Sequence, residues 1–430
     1  MQPGDQDEPD PICYIGCLNA NSKKMHNMTN SIGGSNTATQ LADIKPDLAD
    51  VSPITAEERS TRIHKAVLLM REQSIGALIL TASNSLYYFT GLQWYQSERL
   101  VGAVLTDDGE LIYVCPAFEE SKLRETVGDA AVLHLWHEDE NPYALVANLL
   151  ADAKLKDKTI ALDEAAPFFV FDGLRLAMPL ARIVNASIIT AECRMHKSAA
   201  ELALMQKAKN ITLEVQRRAA KILRIGIPST EVASFIDQAH RAFGGSSSTF
   251  CIVSFGAATA MPHGPDGVQY LREGDMVLID TGCKIQGYHS DITRSYVFGE
   301  ATQKQRSMWH LEKSAQGAAF EAAQLGVPCE QVDAAARRVL EAAGLGPGYK
   351  TPGLPHRTGH GIGLDIHEWP YLVKGNTRPL AAGMCFSNEP MICIDGEFGI
   401  RLEDHFYMTE QGPKWFTGQS YAIDAPFGHA

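Results

Sequence analysis

The sequence predicts an α+β protein whose C-terminal part is internally duplicated and is preceded by a smaller α/β domain. Residues 53–192 alternate helix-like and strand-like segments, which is the pattern of an α/β domain. Residues 193–430 contain two similar helical stretches, each followed by a β-rich section that carries two carboxylates. The 430-residue chain is also long for one domain, since domains commonly have about 150 residues.

The first 52 residues are expected to form a disordered N-terminal extension. They are rich in Asn, Ser, Gly, Asp and Thr and show no lasting hydrophobic period. Such a composition buries too little apolar surface to order the chain. The opening segment MQPGDQDEPD is acidic and has no apolar core, so it does not have the pattern of a secretory signal.

The α/β domain is predicted to begin with a helix near Thr55. Thr55 is suited to be its N-cap, and Glu58 follows three residues later, as in a capping box. Short apolar segments come next, in the order ALILT, LYYFTGL, RLVGAVLT and GELIYVCP. The last two flank Asp107-Asp108-Gly109, and Asp-Gly between two apolar runs indicates a β-hairpin.

A short repeat marks the C-terminal part. The pattern G-[IV]-P-x3-V occurs at residues 226–232 and again at residues 326–332. Each copy follows an alanine-rich helix and precedes a second helix that ends near Gly244 or Gly344, and Pro suits a helix start as Gly suits a helix end. We interpret this as a duplicated half with a site at the seam. Chance similarity between two amphipathic helix pairs is the alternative.

Composition and charge disfavour several classes of function. The chain is 45% hydrophobic and 21% charged, as soluble globular proteins are. A net charge of −13 disfavours nucleic acid or an anionic membrane surface as partner, and no apolar run has membrane-spanning length. The nine cysteines are irregularly spaced and form no CxxC pair, so a disulfide framework is not expected. Scattered thiols favour a reducing, cytoplasmic location.

Two pairs of carboxylates lie in apolar segments on either side of predicted turns. A hairpin centred on the segment IQ places Asp280 opposite Asp291, and one centred on DG places Glu389 opposite Glu403. Paired cross-strand residues have Cβ atoms about 5 Å apart. Two like charges about 4 Å apart repel by about 4 kcal/mol at an effective dielectric of about 20. Two such pairs within apolar strands therefore indicate cations between them.

His360, in the run TGHGIGLDIHE, adds an imidazole to these carboxylates. The set suits two hard divalent cations about 3.5 Å apart, and oxygen-rich ligation with one His suits Mn, Fe(II), Co or Zn. Each member alone has a simpler interpretation. An Asp at a strand end is commonly a turn or cap residue, GHGIG is compatible with a flexible glycine turn, and His263 and His367 are compatible with ordinary surface or core histidines. The ordered set of five residues favours the metal site.

These motifs resemble those of the pita-bread metallopeptidases, which include methionine aminopeptidase, aminopeptidase P, prolidase and creatinase. The resemblance covers residues 194–412, where HRTGHGIGLDIHE is similar to the signature of the bacterial Xaa-Pro dipeptidases (prolidases). A weaker similarity over residues 55–190 includes NSLYYFTG. The resemblance implies a pita-bread fold with pseudo-two-fold duplication in residues 193–430 and a creatinase-type α/β domain in residues 53–192.

The resemblance also implies a role for each candidate residue. Two divalent ions, Mn²⁺ by preference and otherwise Co²⁺, Zn²⁺ or Fe²⁺, would be held by Asp280, Asp291, His360, Glu389 and Glu403. A hydroxide bridging the metals would attack the carbonyl of the bond before proline, with Glu389 as general base. His263 and His367 would hold the substrate and stabilise the oxyanion. His356 and Arg401 would be further substrate contacts.

Two positions depart from the proline-specific pattern. Met391 stands where those enzymes commonly have Gly, and Cys393 stands where they have Tyr. Loss of an oxyanion donor can cost about 3 kcal/mol of transition-state stabilisation. A hydrolase or lyase of the same fold that acts on a small non-peptide substrate, creatinase-like or osmolyte-degrading, is therefore an alternative, and a non-catalytic binding protein is another.

The expected partners follow from the resemblance. They are Xaa-Pro dipeptides or short peptides, with dipeptidase activity favoured over aminopeptidase activity, and a second copy of the chain in a homodimer.

Overall fold

The structure, a computed structural model, describes residues 32–155 and 157–428. It has two parts. The first is a six-stranded mixed sheet with helices, and the second contains two pairs of helices and a group of antiparallel sheets. The predicted fold class is confirmed.

The sheet of the first part has the strand order β4-β3-β2-β1-β5-β6. Its strands are β1 (Ile75–Thr81), β2 (Gly102–Thr106), β3 (Leu111–Pro116), β4 (Val132–Trp136), β5 (Thr159–Leu162) and β6 (Ile183–Asn185). The α-helices between residues 32 and 194 are α1 (Thr37–Leu41), α2 (Ala56–Glu72), α3 (Asn84–Thr90), α4 (Glu120–Val127), α5 (Pro142–Asp152), α6 (Phe168–Ala177) and α7 (Ser187–Arg194). Strands β1 to β3 are antiparallel neighbours and the remaining pairs are parallel.

Two local predictions for this part are confirmed. The Thr55 side chain accepts a hydrogen bond from the Glu58 backbone N–H at 3.2 Å, so it caps α2. Strands β2 and β3 form the antiparallel hairpin predicted around Gly109, which has φ of 101°. Glycine adopts such a conformation without steric cost.

The prediction of disorder for the whole extension is wrong for residues 32–52. They lie against the second part, where Asp43 accepts a hydrogen bond from Arg218 at 2.6 Å and Leu48 packs against the core. Their apolar side chains follow no helix or strand period because they fit the surface of another part of the protein. The prediction for residues 1–31 lies outside the described residues.

The second part contains four helices and twelve strands within the described residues. The helices are α8 (Ala199–Ile222), α9 (Ser229–Ala242), α10 (Gln303–Ala322) and α11 (Cys329–Ala342). The strands are β7 (Phe250–Phe255), β8 (Met276–Gly282), β9 (Lys284–Ile285), β10 (Tyr288–His289), β11 (Ile292–Val297), β12 (Gly359–Gly361), β13 (Glu368–Leu372), β14 (Cys385–Asn388), β15 (Met391–Ile394), β16 (Phe398–Arg401), β17 (Asp404–Thr409) and β18 (Gly412–Trp415). They form sheets ordered β11-β8-β7, β13-β12-β14-β17-β18, β9-β10 and β15-β16.

The two halves of this part make the same backbone contacts. Gly226 N–H donates to the carbonyl of Leu271 at 2.7 Å, and Gly326 N–H donates to the carbonyl of Leu380 at 2.8 Å. Each contact joins the turn between two helices to a segment that leads into the following sheet. The repeat seen in the sequence is therefore a structural duplication, as predicted.

No helix in the described ranges is long and apolar enough to cross a membrane. The seven cysteines within those ranges are free thiols, as the irregular spacing predicted.

Candidate metal centre and active site

The five predicted ligands come from five different places in the second part of the chain. Asp280 lies on β8, Asp291 just before β11, His360 on β12, Glu389 between β14 and β15, and Glu403 between β16 and β17. Nε2 of His360 is 3.1 Å from Oε1 of Glu389 and 3.7 Å from Oδ2 of Asp291. Ligand atoms of His360, Glu389 and Glu403 all lie within 4.8 Å of one another. The fold thus brings these groups together.

The register of the first carboxylate pair differs from the prediction. Asp280 pairs directly with Thr293 rather than with Asp291, because the hairpin turns at Gln286-Gly287, one residue later than predicted. Both turn residues have positive φ, 49° and 85°, as a tight two-residue hairpin requires. The shift changes the pairing by two positions, so Asp291 stays on the same face as Asp280 and becomes its diagonal neighbour.

The second pair has the predicted register. Asn388 pairs with Asp404 on one side, and Met391 pairs with Arg401 on the other. Glu389 and Glu403 therefore occupy matching positions between these two pairs.

Each half holds its carboxylate strands with a buried glutamine from its long helix. Gln216 on α8 donates to the carbonyls of Ile279 and Ile292, which adjoin Asp280 and Asp291 in the chain. Gln316 on α10 donates in the same way to the carbonyl of Leu402, the residue before Glu403. The two glutamines are equivalent in the duplication, and the sequence analysis did not single them out.

Two of the carboxylates, Asp291 and Glu403, are buried and poorly compensated. Burial, and then the neighbouring carboxylates, raise the pKa of Asp291 and of Glu403 well above their usual values. Among the described residues, Oδ1 of Asp280, Oδ1 of Asp291 and Oε1 of Glu403 have no hydrogen-bond donor. Buried polar atoms without partners are costly. Divalent cations would satisfy these oxygens, so the residues present fit a metal centre.

The ring orientation of His360 suits a metal ligand. Its Nδ1 is 3.0 Å from the carbonyl oxygen of Gly361. A proton on Nδ1 would be donated there and would leave the Nε2 lone pair directed at the carboxylates. Metal-binding histidines are commonly fixed by such a second hydrogen bond.

Arg401 lines the cavity above the carboxylates and also binds a predicted ligand, Asp280. Its Nη2 lies 2.5 Å from Oδ2 of Asp280, its Nε donates to Thr293, and its Nη1 donates to the carbonyl of Pro262. The guanidinium is buried, and each of its nitrogens has a protein partner. These contacts hold Asp280 in place, and the predicted contact of Arg401 with substrate stays a prediction.

A cavity of about 830 Å³ opens over the carboxylates and is lined by all three remaining candidate histidines. The His367 ring lies 4.1 Å from the His360 ring, centroid to centroid. Nδ1 of His356 is 2.7 Å from the carbonyl of Arg357, and its buried Nε2 has no partner among the described residues. His263 is exposed at the cavity wall.

The segment that carries His367 is fixed by a cluster of charges. Arg194 lies 2.6 Å from Asp365 and 2.6 Å from Glu368, the carboxylates on either side of His367. Asn84, from the first part of the chain, donates to Asp365 at 2.5 Å. The N-terminal part therefore helps to set the position of His367, which motif analysis did not reveal.

His405 is a further residue that the sequence analysis missed. It follows Glu403 by two positions, so the alternation of side chains in an extended segment places both on the same face. It is fully buried, and its Nε2 is 3.7 Å from Oε1 of Glu403. The period of two in the segment LEDHF was the available signal.

Cys393 belongs to the apolar core and offers no donor to the cavity. The side chain is 1% exposed and packs in the cluster that contains Met391 and Ile400. Burial raises the pKa of its thiol to about 12.

Comparison with known proteins agrees with this architecture. Residues 203–410 match metallopeptidase family M24, and residues 62–196 match the creatinase/prolidase N-terminal domain. The chain is 36% identical over 360 residues to a probable dipeptidase PepE of Mycobacterium tuberculosis. The matched region covers 83% of this chain and 94% of that protein.

Solved structures show the same similarity. Dipeptidase PepE from Mycobacterium ulcerans has a TM-score of 0.81 and 33% identity, and the match covers 86% of this chain and 99% of that one. A recombinant prolidase from Thermococcus sibiricus has a TM-score of 0.78 and 29% identity, with 85% and 98% covered.

Proposed function

Because the chain belongs to metallopeptidase family M24, we propose that it is a dinuclear-metal-dependent Xaa-Pro dipeptidase. The observation that carries the proposal is a group of three buried carboxylate oxygens that have no partner among the described residues and that lie with His360 under an open cavity. Similarity to proteins named dipeptidase and prolidase supports the peptide substrate.

The metal-binding residues of this proposal are Asp280, Asp291, His360, Glu389 and Glu403. Two divalent cations held there, Mn²⁺ by preference, would lower the pKa of water toward neutrality and so supply hydroxide. Four carboxylates offset the charge of two divalent cations, so the loaded centre is close to neutral apart from Arg401.

Glu389 is proposed to accept the proton released during attack on the peptide carbonyl. Burial acts to raise the pKa of Glu389, but in the metal-free protein the hydrogen bond between its carboxylate and His360 outweighs this effect and lowers the pKa to about 2. The carboxylate is therefore ionised at neutral pH. Ser387 donates to Oε1 at 3.0 Å and fixes its direction. A positioned, ionised carboxylate of this kind acts as a general base.

The cavity histidines are proposed to bind the scissile carbonyl and to stabilise the developing oxyanion. The ring of His367 contacts that of His360, with the ring centroids 4.1 Å apart. Nε2 of His356 is buried and has no partner among the described residues, and His263 lines the same cavity. Donors aimed at a developing oxyanion are worth about 3–4 kcal/mol each when they are well placed.

The proposal is tested with one metal-loaded sample and two substrates, an Xaa-Pro dipeptide and an Xaa-Pro-Xaa tripeptide. We expect proline release from the dipeptide at a higher kcat/KM, and we expect a chelator-treated aliquot to lose this activity. Equal or better cleavage of the tripeptide would assign aminopeptidase activity instead. The absence of proline release from any Xaa-Pro substrate by metal-replete protein would reject proline specificity. Native mass measurement tests the accompanying proposal of a homodimer.

The buried position of Cys393 favours a second candidate function. Since this side chain gives no hydrogen-bond donor to the cavity, a hydrolase or lyase of the same fold that acts on a small non-peptide substrate is the alternative. Preferential turnover of a non-peptide amide or a small osmolyte over Xaa-Pro dipeptides would support it.

A further inference from the structure

His405 is a buried histidine with no hydrogen-bond partner for either ring nitrogen among the described residues. Buried imidazoles normally find partners, because an unsatisfied polar atom costs about 1–3 kcal/mol. Oε1 of Glu403 lies 3.7 Å from Nε2 of His405, and within the described part of the chain this oxygen also has no donor. Nε2 of His405 and Oε1 of Glu403 are therefore adjacent buried polar atoms without other partners. Such a pair indicates that the two side chains interact with each other when metal occupies the centre.

Strand geometry directs His405 at the centre. It pairs across the sheet with Ser387, whose hydroxyl donates to Glu389 and accepts from the backbone of His360. His405 therefore stands on the same face as Ser387 and one pleat from Glu403. One ligand atom each of Asp291, Glu403 and His405 lie within 4.8 Å of one another.

We propose that His405 is a sixth protein group of the centre, a positioning residue whose Nε2 holds the Glu403 carboxylate in the orientation that binds metal. This inference rests on the metal centre of the proposed function and extends it beyond the five predicted ligands. Groups that orient metal ligands commonly change metal affinity by about 10–100-fold when they are removed.

The test compares two variants at this position in the full-length chain. His405→Leu keeps much of the volume and removes both nitrogens, whereas His405→Gln places an amide nitrogen close to the position of Nε2. Each apoprotein is titrated with Mn²⁺ by calorimetry. We expect the Leu variant to bind at least one of two metal equivalents about 10–100-fold more weakly and the Gln variant to fall between it and the parent.

A matched control separates positioning from structure. His240 is equally buried, but both of its nitrogens have protein partners, Thr212 at 3.0 Å and Ser248 at 2.9 Å. His240→Gln should lower thermal stability without changing the Mn²⁺ affinity. Visible absorption of the Co²⁺-loaded proteins gives a second readout, in which His405→Gln should shift the ligand-field bands and His240→Gln should not.

The outcomes are distinct. If the parent protein binds two metal equivalents and folded His405→Leu binds them as tightly, the inference is overturned while the proposed function stands. If the parent binds no metal, the proposed function itself fails. If His405→Leu does not fold, the Gln variant decides, since parental Mn²⁺ affinity together with an unchanged Co²⁺ spectrum would overturn the inference.

Discussion

Arg401 Nη2 lies 2.5 Å from Oδ2 of Asp280, and both side chains are buried beneath the cavity. The other oxygen of Asp280 has no donor among the described residues. One oxygen is thus held by the protein while the other is left for a metal ion. This division accounts for an arginine beside a cation site, because the guanidinium fixes the ligand without occupying the coordinating atom.

The Arg401–Asp280 pair predicts a stability effect that depends on metal. Arg401→Leu leaves Asp280 without a counter-charge in the apoprotein, and breaking a buried pair costs about 3–5 kcal/mol. Bound cations would compensate Asp280, so the loss should be smaller in the loaded protein. Thermal unfolding with and without Mn²⁺ measures both values. Arg224→Leu, which breaks the exposed pair with Glu231, is the control and should change little. Equal losses in the two forms of Arg401→Leu would contradict the pairing argument.

Asp291 predicts an effect of opposite sign. Burial and the neighbouring Glu403 raise the pKa of Asp291, so its charge destabilises the apoprotein. Asp291→Asn should therefore raise the melting temperature of the apoprotein and reduce its further rise on adding Mn²⁺. For the parent, metal at about 100 times its Kd should add about 2.7 kcal/mol of stability.

A structural aspartate provides the comparison for Asp291. Asp333 is buried but fully engaged by Arg337 and Thr358. Asp333→Asn should lower the melting temperature with and without metal. A fall in apoprotein stability for Asp291→Asn would show that Asp291 is structural too.

The Arg194 cluster predicts a coupling between the N-terminal part and the active site. Arg194→Met leaves Glu368 with Lys197 as its one remaining ion-pair partner among the described residues, and it leaves the half-exposed Asp365 without its arginine. It should lower the unfolding free energy, by at most about 3–5 kcal/mol. Because these carboxylates flank His367, kcat/KM for an Xaa-Pro dipeptide should also fall. Arg175→Met, which removes the exposed pair with Asp172, should change neither quantity appreciably. Unchanged kcat/KM in a destabilised Arg194→Met would show that the cluster only stabilises the fold.

His240 predicts part of the acid sensitivity of the fold. Burial lowers the pKa of His240 to about 4, whereas an unfolded histidine titrates near about 6.5. Between these values the unfolded chain binds more protons than the folded one, so stability falls as the pH drops from about 6.5 to about 4, by up to about 1.4 kcal/mol per pH unit. Above about 6.5 the ring is neutral in both states and contributes no slope. Chemical denaturation of the apoprotein at several pH values should show a shallower slope for His240→Gln than for the parent.

The sequence by itself determined the duplicated fold, the caps and turns of individual elements, and the set of carboxylates that meets in the centre. These features are written in short-range patterns, such as the pairing about Gly396 that places Glu389 opposite Glu403. The sequence could not show which polar atoms, far apart in the chain, are hydrogen-bond partners. Only the tertiary structure shows that residues 32–52 pack against the second part of the chain. It also shows that Arg401 donates to Asp280 and that His405 lies 3.7 Å from Glu403.

The physical reason is the separation along the chain between the residues that interact. A period of two or of 3.6 residues shows which face a side chain occupies, and turn chemistry limits register to within a residue or two, as the Gln286 turn shows. The partner of a buried polar atom, in contrast, is chosen by packing between segments far apart in the chain. That choice depends on the whole fold, and no local pattern records it.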